Sequence, residues 1–422
     1  MTQEAHARKV PRWVIVAAIL FSVAAITRML MQQRAQRRAL RSSAIVSKDT
    51  GTDHETDAHV TLAPDGMAII AWRGVPAGSD AADRIGVRSL TRGAHAWNEP
   101  AFVKAPEALV GGPVLASTAD GATWLALSGT HAWVTRAAAG TVAFAALVDA
   151  GGGPVGATAE VPWLAASSDT AWLVFREREG QAARLVLRSL HAGPDGGSDV
   201  GERVVVAEGA GLAAAIPSLC VDGARARVYV TWLDPGRGVV LSAGDGARFA
   251  REREVVVSAA SDAVALDAPR CLVRGDEVTV LYGLAAAPLD PSSATPLAAL
   301  VLARATDGGK TFAARTRVEE PGLVMLRPAM ARDAAGPTTL IYYAARNASD
   351  AYAALRWRRV TAVGGPADDG REARAPLRLA VRKTDPGWPG DHIGLVAGSG
   401  LVGAAFVDNL EGTHVAFMEL GP

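Results

Sequence analysis

One five-residue pattern, a short apolar run that usually closes on an aromatic, occurs seven times in this chain. The copies are AIIAW (68–72), TWLAL (123–127), AWLVF (171–175), VYVTW (228–232), VTVLY (278–282), TLIYY (339–343) and VGAAF (402–406). Six end on Trp72, Phe175, Trp232, Tyr282, Tyr343 and Phe406, and Leu127 closes the other. Their last residues are 55, 48, 57, 50, 61 and 63 apart. Runs this short, rich in β-branched and aromatic residues and bounded by turn residues, read as strands. A period of that length marks a repeat architecture in which each unit buries its apolar face on the next.

A second apolar run precedes each copy and is commonly opened by proline: Pro113, Pro162, Pro217, Pro269 and Pro328. Turn chemistry separates the two, as in Pro64-Asp65-Gly66, Asp120-Gly121 and Gly336-Pro337. Third runs follow, among them Ile85–Arg88, Ala183–Leu187 and Leu300–Arg304, and in most copies a fourth such as Arg203–Val206. Four strands per unit make a propeller blade. Strands packed on both faces read as apolar runs more than as alternations, which fits these segments. The expected fold is all-β: a seven-bladed, alternatively six-bladed, β-propeller of four-stranded blades over 43–422, preceded by one N-terminal hydrophobic helix. The last copy lacks its outer strand, and Ser43–Ser47 is placed to supply it and remove an exposed sheet edge.

Ahead of the repeats, Trp13 to Thr27 is an uncharged stretch flanked by Arg8, Lys9 and Arg12, the layout of a signal sequence or a short membrane anchor. The order is a basic flank (1–12), the anchor or signal (13–27), a basic linker (28–42) and the propeller (43–422). A Ser22-Val23-Ala24 site suits cleavage, but Arg28 to Arg41 would then open the mature chain with positive charge, so an uncleaved anchor leads. The propeller is expected to face the periplasm or the extracellular side, the alternative being secretion after cleavage. With the N-terminal arginines and lysine set aside, residues 42–422 carry 35 basic and 42 acidic residues. A mildly acidic body lacks the positive field that nucleic acid requires, so that partner is excluded.

Ala305-Thr306-Asp307-Gly308-Gly309-Lys310-Thr311-Phe312 resembles the Asp box, S-x-D-x-G-x-T-[WF], with Ala305 in place of the serine. Its aspartate accepts from backbone N–H groups, a glycine takes positive φ, and the aromatic covers the blade edge. Ser242–Phe249 and Ser89–Trp97 look like degraded copies. The chain thereby resembles the Asp-box (BNR-repeat) sialidase-like propellers over roughly 43–421. That resemblance implies a structural role for Asp307, Gly309, Thr311 and Phe312, away from any substrate site. It also exposes what is missing: sialidases carry an Arg-Ile-Pro motif, and the nearest string here is Arg84-Ile85-Gly86. Of the five tyrosines, only Tyr352 lies outside the repeated strands.

Other chemistry is thin. Gly398-Ser399-Gly400-Leu401-Val402-Gly403 matches G-x-G-x-x-G, but a strand follows where a dinucleotide site needs a helix, so no cofactor is expected. The eight histidines show no metal-ligand spacing, and His54, Glu55 and His59 read as a solvated linker. Cys220 and Cys271 lie at offsets three and two from Pro217 and Pro269, so they face each other across one blade interface or point apart. A bridge between them would favour an oxidising compartment. The site candidates are loop residues: Arg73, Arg176, Asp234 and Asp408 after second strands, and Asp391 before the last first strand. The leading expectation is an exported or membrane-anchored, monomeric, non-catalytic module that recognises glycan or protein. The alternative is a divergent exo-sialidase-like glycoside hydrolase, whose paired carboxylates would face each other across the ring.

Overall fold

The computed structural model describes residues 43–47, 52–76, 84–94, 96–151, 157–250, 254–259, 269–286, 296–333, 336–347, 350, 352–361, 364–365, 367–378, 393–409 and 413–420. Chain contacts divide the molecule into Met1–Ala44 and Ile45–Pro422. Among its described residues the second unit is all-β, relieved only by 3-10 turns at Ala210–Ala214 and Gly223–Arg225.

Its strands form antiparallel meanders taken in chain order. Strand β1 (Ser43–Ile45) ends at the unit's first residue. One sheet is β2 (Thr52–Leu62), β3 (Ala68–Pro76), β4 (Arg84–Leu90) and β5 (Ala101–Lys104). The next is β6 (Val114–Ser117), β7 (Thr123–Ser128), β8 (Ala132–Ala137) and β9 (Val148–Asp149). The third holds β10 (Thr158–Ala166), β11 (Ala171–Glu179) and β12 (Ala182–Ala192), with β13 (Ser198–Val200) and β14 (Val204–Glu208) both on β12. The fourth is β15 (Ser218–Asp222), β16 (Arg227–Asp234), β17 (Gly238–Gly244) and β18 (Val255–Ser258). Then come β19 (Arg270–Arg274), β20 (Glu277–Ala285), β21 (Leu297–Ala305) and β22 (Ala314–Val318), followed by β23 (Val324–Arg332), β24 (Thr338–Ala345), β25 (Tyr352–Val360) and β26 (Arg371–Arg378). These eight belong to one sheet, because Leu297 in β21 pairs with Met325 in β23. The last sheet runs β1, β29 (His414–Glu419), β28 (Leu401–Asp408), β27 (Gly394–Gly398).

The repeated pattern lies in β3, β7, β11, β16, β20, β24 and β28, and the six closing aromatics are all buried. Successive sheets bury these strands against each other. Ile69, Leu125 and Leu127 share one cluster, Trp124 and Phe175 the next, and Leu185 and Trp232 another. The circuit closes where Ile70 and Trp72 meet Ala405 and Phe417. Trp72 also explains its cross-strand partner Gly86, since a Cβ there would lie 2.2 Å from the indole. At the seam, Val46 N–H donates to Val415 O at 2.7 Å and Val415 N–H to Ser47 Oγ at 2.8 Å. The segment just after β1 thus completes the last meander and covers its edge.

Four expectations need correction. Seven, or six, separate four-stranded blades are not what is found. Five sheets of four or five strands stand alone among the described residues, whereas β19 to β26 run together because the β21–β23 pairing bridges two groups of four. The hydrophobic helix expected ahead of the propeller gains no support: Trp13 to Thr27 lies outside the described residues, and no described helix is long and apolar enough to cross a membrane. His54, Glu55 and His59 belong to β2, not to a linker, with Glu55 buried. Pro162 and Pro328 sit inside β10 and β23 and do not open them. Cys220 and Cys271 are joined by a disulfide, with Cα atoms 5.7 Å apart, between β15 and β19.

Candidate functional site

Antiparallel pairing puts the N-terminal end of each first strand beside the C-terminal end of its second strand. Thr56 lies opposite Arg73, Glu160 opposite Arg176 and Leu326 opposite Tyr343. These ends come together in successive sheets. Ala159 N–H donates to Thr130 O in the β7–β8 turn, Arg176 Nη1 to Ala215 O just before β15, and Ser218 Oγ to Pro269 O just before β19. They form one rim. The turns joining first to second strands and third to fourth strands form the other.

Three first strands are bulged at that first rim. The register shifts between Thr56 and His59 in β2, between Glu160 and Trp163 in β10 and between Leu326 and Ala329 in β23. At each shift stands a non-glycine residue with positive φ: Asp57 at 58°, Val161 at 48° and Arg327 at 50°. Aspartate tolerates this conformation, but a β-branched valine does not do so readily. Each such residue costs about 1–3 kcal/mol and persists only where its surroundings hold it. They do so here: Val161 N–H donates to Ser128 Oγ of the preceding sheet at 3.3 Å. Asp57 is accommodated because Gly112 faces it, where a Cβ would lie 2.2 Å from that of Asp57. A bulge re-aims the side chains beside it, and these three re-aim residues of the rim.

The rim is also where charge is buried. Glu55 (1% exposed), Asp57 (4%), Arg327 (7%), Arg374 (2%) and Asp408 (9%) all lie there or reach it. Buried charges require partners. Arg374 Nη2 donates to Asp408 Oδ2 at 2.7 Å, from β26 across to the end of β28. Arg176 grips Glu160 with Nε at 3.2 Å and Nη2 at 2.5 Å. Burial works to raise the Glu160 pKa, but the hydrogen bond and charge of Arg176 outweigh it, so the carboxyl sits below the ordinary glutamate value. Glu177, one residue further along, accepts from both Arg203 and Arg184. Glu55 accepts from Ser47 Oγ and has His414 Nδ1 at 3.5 Å, so it fastens the seam. Tyr343 is fully enclosed; burial, reinforced by Asp408 and opposed by Arg327, pushes its hydroxyl up to about 12.

The sequence candidates divide accordingly. Arg73 and Arg176 stand opposite Thr56 and Glu160, the residues before the strained Asp57 and Val161, and Asp408 ends β28 on the same side. Asp234 ends β16 on the same side but accepts Gly236 N–H at 2.9 Å and serves its turn. Asp391 lies outside the described residues. Asp307 belongs to the other rim, in the β21–β22 turn: it accepts from the N–H groups of Lys310 and Thr311 and from Thr311 Oγ1 at 2.6 Å. Gly309 has φ 84°, and Phe312 packs on the neighbouring core. Sequence reasoning missed Glu55, Asp57, Glu160, Val161, Arg327 and Arg374. A proline within a strand marks a bulge, so Pro162 and Pro328 were the available signal. No group of side chains suited to a metal ion occurs among the described residues.

No family model matches the chain, and no curated protein matches it. Solved structures similar to it include the Hadza microbial sialidase Hz136, at 9% identity and TM-score 0.48, covering 71% of this chain and 65% of that one. The NanB sialidase of Streptococcus pneumoniae is similar at 9% identity and TM-score 0.44, over 89% and 70% of the two chains. The α-L-arabinofuranosidase Arb93A of Fusarium graminearum is similar at 11% identity and TM-score 0.43, over 88% and 94%. At such identity no residue of theirs is carried over to this chain.

Proposed function

We propose that the chain is a non-catalytic recognition module whose bulged rim takes a glycan or a protein. One observation carries the reading: the described rim carboxylates are already committed. Glu160 and Asp408 are held by Arg176 and Arg374, Glu177 by Arg203 and Arg184, Glu55 by the seam, and Asp234 by its own turn. A glycoside hydrolase needs one carboxyl that keeps its proton near neutral pH, facing a second that does not. Glu160 is shifted the opposite way. The alternative, a divergent hydrolase, draws on Tyr343 beside Arg327 and Asp408, but a phenol raised to about 12 is a poor nucleophile at neutral pH. The Cys220–Cys271 bond supports a position outside the reducing cytoplasm, tethered or secreted. The test is hydrolysis of a fluorogenic sialoside by the purified full chain. The expected rate equals that of buffer, and turnover that D408N abolishes would overturn the proposal.

A further inference from the structure

We propose that Glu107 is a positioning residue that acts on the bulged rim through a neighbouring turn. It lies in the connection from β5 to β6, locks the Ser128–His131 turn of the second sheet, and through that turn holds the strained Val161 of the third. This coupling is independent of what the rim takes.

The Glu107 carboxylate collects three donors from this turn and the strand it opens. His131 N–H donates to Oε1 at 2.9 Å and Trp133 Nε1–H to the same oxygen at 2.8 Å, while Thr130 Oγ1 donates to Oε2. Hydrogen bonds to an ionised acceptor are the strong ones. Further along the same connection, Val110 N–H donates to Ser128 O at 2.8 Å. Gly129 must stay bare, since a Cβ there would strike Glu107 Oε1. From the other flank, His131 Nδ1 meets Asp149 Oδ2 at 2.9 Å, and Asp149 Oδ1 accepts Gly151 N–H at 2.7 Å. The turn is thus gripped both by the chain entering the second sheet and by the chain leaving it.

The other side of the turn carries the bulge of β10. Thr130 O accepts Ala159 N–H at 2.9 Å, and Ser128 Oγ accepts Val161 N–H at 3.3 Å. The register with β11 breaks between Glu160 and Trp163, so β11 gives Val161 no ladder partner, and Pro162 has no N–H to offer. A valine at φ 48° persists only while its surroundings hold it, and Ser128 holds its one amide. Releasing Glu107 frees the turn, and a freed turn lets Val161 relax, which re-aims Glu160 and Trp163 on either side of the bulge. Burial works to raise the Glu107 pKa, but hydrogen bonds from Thr130, Trp133 and His131 outweigh it and hold the carboxyl below the ordinary glutamate value. The ionisable groups beside it are His131 and, beyond that ring, Asp149. The lock is therefore complete above the ordinary glutamate range and is lost as pH falls through the lower, folded-state value.

The test is amide exchange by NMR, read residue by residue on the full chain with its disulfide intact. E107A is expected to speed exchange at Ala159 and Val161 by about ten-fold or more, while Leu125 and Ala126, buried in β7, stay within about two-fold of wild type. E107Q keeps an oxygen for His131 and Trp133, and the Thr130 hydroxyl can accept from the new amide, so exchange at Val161 stays within about three-fold. In wild type the Trp133 indole N–H resonance should titrate with Glu107, and Val161 should lose protection across the same midpoint. In E107Q that shared step is absent. Unchanged Val161 exchange in E107A overturns the proposal. Exchange that rises equally throughout β7 and β10 also overturns it, because Glu107 would then be a general support of the fold. Should E107A fail to fold, wild type decides: Val161 protection indifferent to the Trp133 titration sinks the coupling.

Discussion

The two rims are built from the ends of the same strands, yet their chemistry differs. On one, aspartates cap exposed turns. Asp65 accepts Met67 N–H, Asp120 accepts Ala122 N–H and Thr118 Oγ1, Asp245 accepts Ala247 and Arg248 N–H, and Asp307 closes its turn on Thr311. Positive φ there falls mostly on turn glycines such as Gly66, Gly121, Gly246 and Gly309, and otherwise on Ala226 and Ser399 at hairpin tips. On the other rim, positive φ falls on the bulge residues Asp57, Val161 and Arg327, and Glu160 and Asp408 are paired with arginines. A turn needs only a short polar residue and a glycine, so most turns of the first rim are relaxed. Strain and buried charge reduce stability, and the bulged rim spends them on holding side chains in place.

Substitutions can break this contrast. The largest effect is expected from D408A or R374A: removing one partner strands a buried charge, and urea unfolding should show a loss of about 3–5 kcal/mol. The double variant R374A/D408A should lose less than the sum of the singles, because the two share one pair. Opening the Cys220–Cys271 bridge with paired serines frees a loop closed over a sequence separation of 51 and should cost about 4 kcal/mol in the same assay. V161G relieves the left-handed strain at the β10 bulge and should stabilise by at most about 1 kcal/mol while loosening Trp163. A clear loss of stability there would show that Val161 is not strained in solution.

D307A, on the relaxed rim, should cost about 1 kcal/mol or less. Its effect depends on pH in a definite sense. The hydrogen bond from Thr311 Oγ1, then those from the turn's backbone, outweigh burial and hold the Asp307 carboxyl below its ordinary value. A depressed folded-state pKa contributes stability that is present above the unfolded value and lost as pH falls through the folded one. The difference between wild type and D307A should therefore shrink on acidification below the ordinary aspartate range and be flat at neutral pH. A difference that grew on acidification would contradict this.

Much of the scaffold was legible because its signal is local. Trp72, Phe175, Trp232, Tyr282, Tyr343 and Phe406 recur at the spacing of the sheets and fill their cores, and Asp307 lies within four residues of every group it bonds. The rim was largely illegible because its partners are distant in sequence: Arg374 meets Asp408 and Ser47 meets Glu55 only after folding. Polar neighbours hid β2, since HETDAH reads as linker until a bulge turns it into the wall of a site. Nor does spacing reveal the single pair, Leu297 with Met325, that joins two groups of strands into one sheet.

The central claim is that Glu160, at the bulged rim, is held ionised by Arg176 and does not store a proton. Titration of the Glu160 carboxyl carbon by NMR, assigned against E160Q in the full chain, tests it most directly. The midpoint should fall below the ordinary glutamate value, as the Arg176 contact demands. A midpoint raised toward neutrality would mean that a proton is kept at the rim and that the chain is built for catalysis.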